Sequence, residues 1–179
     1  MKIIFLDIDG VMKSGASAIR NFGDGGFGLT LHPEHVEALN FVLDNTDARI
    51  VISSTYRLGY TVKQMKQLFK DNGIDYKYVI SHTPFLDAPK GEWVERGDEI
   101  AEWLKTYPQI AFDKYGVDLD VESFVVIDDD NDMSCINPIN FVQTNRNYGL
   151  THFDAIKVIE VLNGEPLIPT KAVKRGMEW

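Results

Sequence analysis

Short apolar runs alternate along this chain with helix-spaced apolar residues, and that alternation leaves few folds open to it. Ile3 to Ile8 is apolar throughout except for Asp7, and Arg49-Ile50-Val51-Ile52, Tyr78-Val79-Ile80 and Phe124-Val125-Val126-Ile127 repeat the pattern. Continuous apolar runs of this length suit strands buried on both faces of a parallel sheet. Ile139 to Thr144 reads as a fifth strand. Between the runs, Val36, Leu39, Val42 and Leu43 mark a helix over 33–45 that opens at Pro33. Val62, Met65, Leu68 and Phe69 mark a second, stopped near Asn72-Gly73. Ile100, Trp103, Leu104 and Tyr107 predict a third helix, ended by Pro108. Phe153, Ile156, Ile159, Val161 and Leu162 predict a last one, ended at Gly164. Strand and helix in alternation predict a three-layer α/β sandwich around a mostly parallel sheet.

At 179 residues the chain is expected to form one domain over 1–164, with a tail over 165–179 to which no role is assigned. Residues 13–30 are rich in Gly and Ser and read as a loop or flap, with a glycine-rich stretch at 21–28. Hydrophobic residues at 44% and charged residues at 25% exclude a disordered or disulfide-scaffold chain. Eighteen Lys and Arg against 27 Asp and Glu leave a net charge of −9. So acidic a chain is a poor candidate for non-specific binding to nucleic acid or anionic membrane. The lone Cys135 cannot form an internal disulfide, which fits a reducing compartment, and an unsupported thiol is read as structural. No apolar run is long enough for a membrane span, and Asp7 cuts the first run short of a signal sequence. A cytoplasmic location is expected.

Ligands of open parallel sheets bind at the carboxyl ends of the strands, so the polar residues after each apolar run carry the functional reading. Asp7-Ile8-Asp9-Gly10-Val11 comes first. A turn or helix cap explains one aspartate after a strand, but not Asp7 inside an apolar run. A buried carboxylate without a partner costs several kcal/mol, and a hard divalent cation is the simplest partner. Asp128-Asp129-Asp130-Asn131-Asp132 follows the fourth run. As an EF-hand loop it fails, because Met133 and Ile139 stand where Gly and Glu are required. As a solvated acidic loop it is unremarkable. Placed beside the first strand, Asp128 adds an oxygen to the same cation, and Mg2+ suits a set of carboxylates completed by phosphate and water. Ser53-Ser54-Thr55 with Arg57 is either a helix cap or a set of phosphate contacts. Lys90 and Arg96 are further cations that could face a phosphate.

In order, these segments resemble the haloacid dehalogenase (HAD) superfamily of phosphohydrolases. Its first motif, a hydrophobic strand followed by Asp-x-Asp-x-[Thr/Val], is matched by Ile3 to Val11. Its second, a strand ending in Ser or Thr, is matched by Ile50-Val51-Ile52-Ser53. Its third, a basic residue near the start of the helix before the fourth strand, fits Arg96 best, with Lys90 as the fallback. Its fourth, a strand ending in acids, is matched by Ile127-Asp128-Asp129 with Asp132 beyond. The resemblance spans residues 3 to about 162. It implies a Rossmann-like sheet, and the short intervals between motifs leave no room for a large cap domain.

The resemblance also implies roles. Asp7 would be the nucleophile that forms an aspartyl-phosphate, and Asp9 the general acid and base. Mg2+ would be held by Asp7, the Asp9 backbone carbonyl and Asp128, with Asp129 direct or through water. Ser53 and Arg96, with Lys90 as the fallback, would hold phosphate oxygens, while Ser54 and Arg57 stay candidate contacts on their residue chemistry alone. An open site suits a large substrate such as a phosphorylated protein or a nucleic-acid end, and nucleotides or small phosphate esters stay equally open. Ser53 to Arg57 and Arg96-Gly97 with Glu99-Ile100 are weakly similar to the 3′-phosphatase module of polynucleotide kinase. Two alternatives stay open: phosphotransfer through the same intermediate, and a non-catalytic domain that kept the fold.

Overall fold

The computed structural model describes residues 1–15, 30–88, 93–116 and 118–164. The glycine-rich 21–28 stretch, Lys90 and the 165–179 tail lie outside them. The described elements are β1 (Lys2–Leu6), α1 (Pro33–Thr46), β2 (Arg49–Ile52), α2 (Val62–Asp71), β3 (Val79–His82), α3 (Arg96–Tyr115), β4 (Ser123–Asp128), β5 (Phe141–Gln143) and α4 (His152–Asn163). The strands form one sheet in the order β3-β2-β1-β4-β5, and every neighbouring pair is parallel. This is a Rossmann-like α/β fold without a large cap among the described residues.

Alternation within the strands sorts the side chains into two cores. Ile4, Leu6, Ile50, Ile52, Val125 and Ile127 face α1, α2 and α4, where Leu39, Val42, Phe69, Val158 and Ile159 are buried with them. Ile3, Phe5, Val51 and Val126 face α3 and meet Ile100 and Trp103. The Phe5 and Trp103 rings meet edge to face at 5.2 Å, and Trp103 Nε1 donates to Ser81 Oγ at 3.2 Å, so the indole is buried with its polar atom satisfied. Burial on both faces explains why these strands read as continuous apolar runs.

Local chemistry sets most boundaries. Thr61 with Gln64 and Thr151 with Asp154 form capping boxes at the starts of α2 and α4. Gly164 ends α4 in the left-handed region, at φ 69°. Three expectations are corrected. The helix α3 does not end at Pro108 but runs on to Tyr115. The stripe that buries Ile100 and Trp103 extends to Ala111, and the Trp103 and Tyr107 rings stack at 4.5 Å. That packing holds the turn beyond Pro108 despite the backbone bond that proline removes. The fifth strand is shorter than 139–144, because Pro138–Asn140 forms a 3-10 turn capped by Asn137. The third strand starts at Val79, since Tyr78 closes a 3-10 turn capped by Asp75.

Candidate active site

The register of the sheet assembles the site. Leu6 of β1 pairs with Ile52 of β2 and with Ile127 of β4. The next residues along the three strands, Asp7, Ser53 and Asp128, therefore stand side by side at the carboxyl edge. The Asp7 N–H donates to the Ile127 carbonyl and the Ser53 N–H to the Leu6 carbonyl, both at 3.0 Å, and the Asp128 carbonyl accepts the Thr144 N–H at 2.9 Å, so all three are tied to the sheet.

Ligand oxygens of Asp7, Asp128 and Asp129 lie within 4.8 Å of one another. Burial pushes the Asp7 carboxyl up to about 6, against hydrogen bonds from Ser54 and the Ile8 backbone that favour the anion. Burial, then the charge of Asp7, pushes Asp128 up to about 8. Clustered carboxylates that resist ionisation are short of positive charge, and their hard oxygens match a divalent cation such as Mg2+. Asp129 is half-buried, with its carboxylate packed against Gly10, and accepts from Arg146 Nε at 2.6 Å. The sequence brought Asp128 and Asp129 forward but missed Arg146, which follows the short β5.

The Asp9 side chain stands outside that cluster. It is exposed, and its Oδ1 lies 3.4 Å from the Tyr56 hydroxyl and 3.5 Å from Lys13 Nζ. With Asp7, Asp128, Asp129, Arg96 and Arg146 it lines a cavity of about 220 Å3. Another hollow, about 640 Å3 beside α1 near Val36 and Phe41, contains none of these groups.

Arg96 opens α3. Its backbone N–H donates to the Asp132 carboxylate and that of Gly97 to the Asp132 carbonyl, both at 3.0 Å. Asp132 thus caps α3 from the loop after β4 and fixes Arg96 at the cavity. Its guanidinium donates to Glu99 Oε2 at 3.0 Å, the same oxygen that receives Arg57. Glu99 is buried, and its other oxygen accepts the Leu86 N–H at 3.4 Å. Arg57 is buried too, donates to the Ser53 and Ser54 carbonyls, and is not part of the cavity wall. Sequence reasoning placed Arg57 among the phosphate contacts, whereas its guanidinium braces the loop after β2. Ser54 accepts from the Tyr56 N–H and hydrogen-bonds Asp7. Ser53 is fully buried, and its Oγ has no hydrogen-bond partner. Ser53, like Arg57, is not part of the cavity wall, and its orphaned hydroxyl is free to take a further acceptor. Glu99, Lys13 and Tyr56 were missed as site residues, because each has a partner more than forty positions away: Arg57 for Glu99, Tyr56 for Lys13, and Asp9 for Tyr56.

No curated protein and no solved structure matches this chain. A family model described as the HAD domain in Swiss Army Knife RNA repair proteins matches residues 3–155, which takes in all three strand ends and Arg96. The four motifs in order, the parallel sheet that brings them together and this match have one reading: the chain belongs to that family of HAD domains.

Proposed function

We propose that this chain is a Mg2+-dependent phosphomonoester hydrolase acting on a nucleotide or a phosphorylated nucleic-acid end. The observation that carries the reading is the convergence of Asp7, Asp128 and Asp129 within 4.8 Å at the edge where Arg96 also opens. The carboxylates of Asp7 and Asp128 would hold the ion, with Asp129 direct or through water and the Asp9 backbone carbonyl as a further oxygen. The ion would offset repulsion between carboxylates and phosphate and stabilise charge during transfer.

The protein's own groups do the rest. Ser53 Oγ and Arg96 receive the phosphoryl oxygens. An Asp7 oxygen attacks phosphorus as the bond to the leaving oxygen breaks, and Asp9 gives that oxygen its proton. Water then attacks the aspartyl-phosphate and gives its proton to Asp9, releasing phosphate and regenerating both aspartates. The family's association with RNA repair supports a nucleic-acid end. The net charge of −9 is compatible with it, because an end needs only local contacts and not a long basic track.

The test is phosphate release from nucleotides, sugar phosphates and 3′- and 5′-phosphorylated oligonucleotides, run with Mg2+, with EDTA and with Asp7→Asn. Metal-dependent release that disappears in the variant is expected. Release in excess EDTA would remove the metal from the reaction, and full release by Asp7→Asn would remove the nucleophile. Product analysis with added alcohols separates hydrolysis from phosphotransfer.

A further inference from the structure

Asp9 poses a question that its role in the proposed reaction makes sharp. Its side chain is 62% exposed, and an exposed carboxylate turns freely unless something holds it. Two groups do so here. The Ile8 carbonyl accepts the N–H groups of Met12 and Lys13 at 2.8 and 2.9 Å, and the Gly10 N–H donates to the Lys13 carbonyl at 2.7 Å. This tight turn returns Lys13 to the side of Asp9, with Nζ 3.5 Å from Oδ1. From the other side comes Tyr56, on the 3-10 turn Thr55–Leu58 that Ser54 caps. Its ring packs against the main core, its hydroxyl lies 3.4 Å from the same Oδ1, and Lys13 Nζ donates to that hydroxyl at 3.0 Å.

The directions of these bonds follow from the groups themselves. An ammonium has no acceptor, so Lys13 donates to the phenol oxygen. The phenol proton is then left to donate to Asp9 Oδ1. Partly exposed ion pairs add little to stability, so the convergence of two donors on one carboxylate oxygen is not explained by folding alone.

We propose that Tyr56 and Lys13 are positioning residues for Asp9: together they hold Oδ1, so that the proton exchanged with the leaving oxygen travels on Oδ2. This rests on the phosphohydrolase reading above and adds to it what orients the acid. Neither residue needs to touch the phosphate. Their loss should therefore show in the leaving-group step and spare substrate binding.

The experiment compares kcat and KM for wild type, Tyr56→Phe, Lys13→Met, Lys13→Arg and Asp9→Asn. Two substrates are used: glycerol 2-phosphate, whose alkoxide needs a proton to leave, and p-nitrophenyl phosphate, whose phenolate does not. Tyr56→Phe keeps the ring against the core, so its fold is preserved. Expected for Tyr56→Phe and Lys13→Met is a loss of about tenfold in kcat on glycerol 2-phosphate, under about threefold on p-nitrophenyl phosphate, and a nearly constant KM. Lys13→Arg should recover most of the loss. Tyr56→Phe added to Asp9→Asn should cost nothing more, since the group it orients is already gone.

Equal losses on the two substrates, a rise in KM with constant kcat, or full additivity with Asp9→Asn would each overturn the proposal. The controls keep two failures apart. If Asp9→Asn shows the leaving-group split and Tyr56→Phe does not, positioning is wrong and the hydrolase reading stands. If wild type in Mg2+ releases no phosphate from these two substrates, from nucleotides or from 3′- and 5′-phosphorylated oligonucleotides, the hydrolase reading fails and takes the proposal with it.

Discussion

Gly10 and Asp129 share one small volume: a Cβ on Gly10 would lie 2.2 Å from the Asp129 carboxyl carbon. Gly10 also has φ +78°, a conformation that side chains disfavour. The glycine of the first motif therefore seats a carboxylate of the fourth. Gly10→Ala is expected to displace Asp129 and to raise the Mg2+ concentration for half-maximal phosphate release by about tenfold or more. A Mg2+ titration of turnover checks this, and an unchanged midpoint would exclude Asp129 from the metal's surroundings.

The acid cluster should make metal-free stability depend on pH. Asp7 and Asp128 titrate at about 6 and about 8 in the fold, against an ordinary value of 3.8. Folding thus favours their protonated forms. Their stabilising contribution is complete below 3.8 and is lost as pH rises through about 6 and about 8. In EDTA the thermal midpoint should fall between pH ~5 and pH ~9, by the equivalent of roughly a few kcal/mol. Asp128→Asn should flatten that fall, and Mg2+ should reverse it in wild type. A slope that Asp128→Asn leaves untouched would place the titrating group elsewhere.

Glu99 joins Arg57, Arg96 and the Leu86 backbone in a buried node. Removing one partner of a buried ion pair strands the others, at a cost of about 3–5 kcal/mol. Glu99→Ala should lower stability by that order in urea unfolding, and Glu99→Gln by less. A loss under about 0.5 kcal/mol, the usual ceiling for a surface change, would show that solvent screens the node.

Arg96 and Lys90 are rivals for the phosphate cation. Arg96 lines the cavity at the capped start of α3. Arg96→Ala is expected to lower kcat/KM by about a hundredfold, as loss of a charged phosphate contact does. Lys90→Ala should cost less. The opposite ranking would move the phosphate cation into the 89–92 segment.

Much of the fold was legible because it rests on local or periodic signals. The β2 boundaries followed from Arg49-Ile50-Val51-Ile52, and the end of α4 from Gly164. Pro108 misled because a proline's local penalty is weighed against packing that only the assembled layers supply, through Trp103, Tyr107 and Ala111. Ile139 misled because an apolar residue after Pro138 joins a 3-10 turn as readily as a strand, and here it is exposed.

The sequence by itself determined the parallel sheet, the order of the motifs and the presence of aspartates where a core would not tolerate them. These depend on side-chain period and on the cost of burying charge, which neighbours along the chain reveal. Only the tertiary structure decided how those residues divide their work. Register set Asp7, Ser53 and Asp128 abreast, the loop after β4 capped α3 through Asp132, and Glu99 drew Arg57 inward while Arg96 kept to the cavity. Asp9 stayed outside the tight cluster of Asp7, Asp128 and Asp129, held at the same cavity by Lys13 and Tyr56. Most of these pairings join residues tens of positions apart, and the energies of all of them depend on distance and burial in space, quantities that spacing along a chain does not carry.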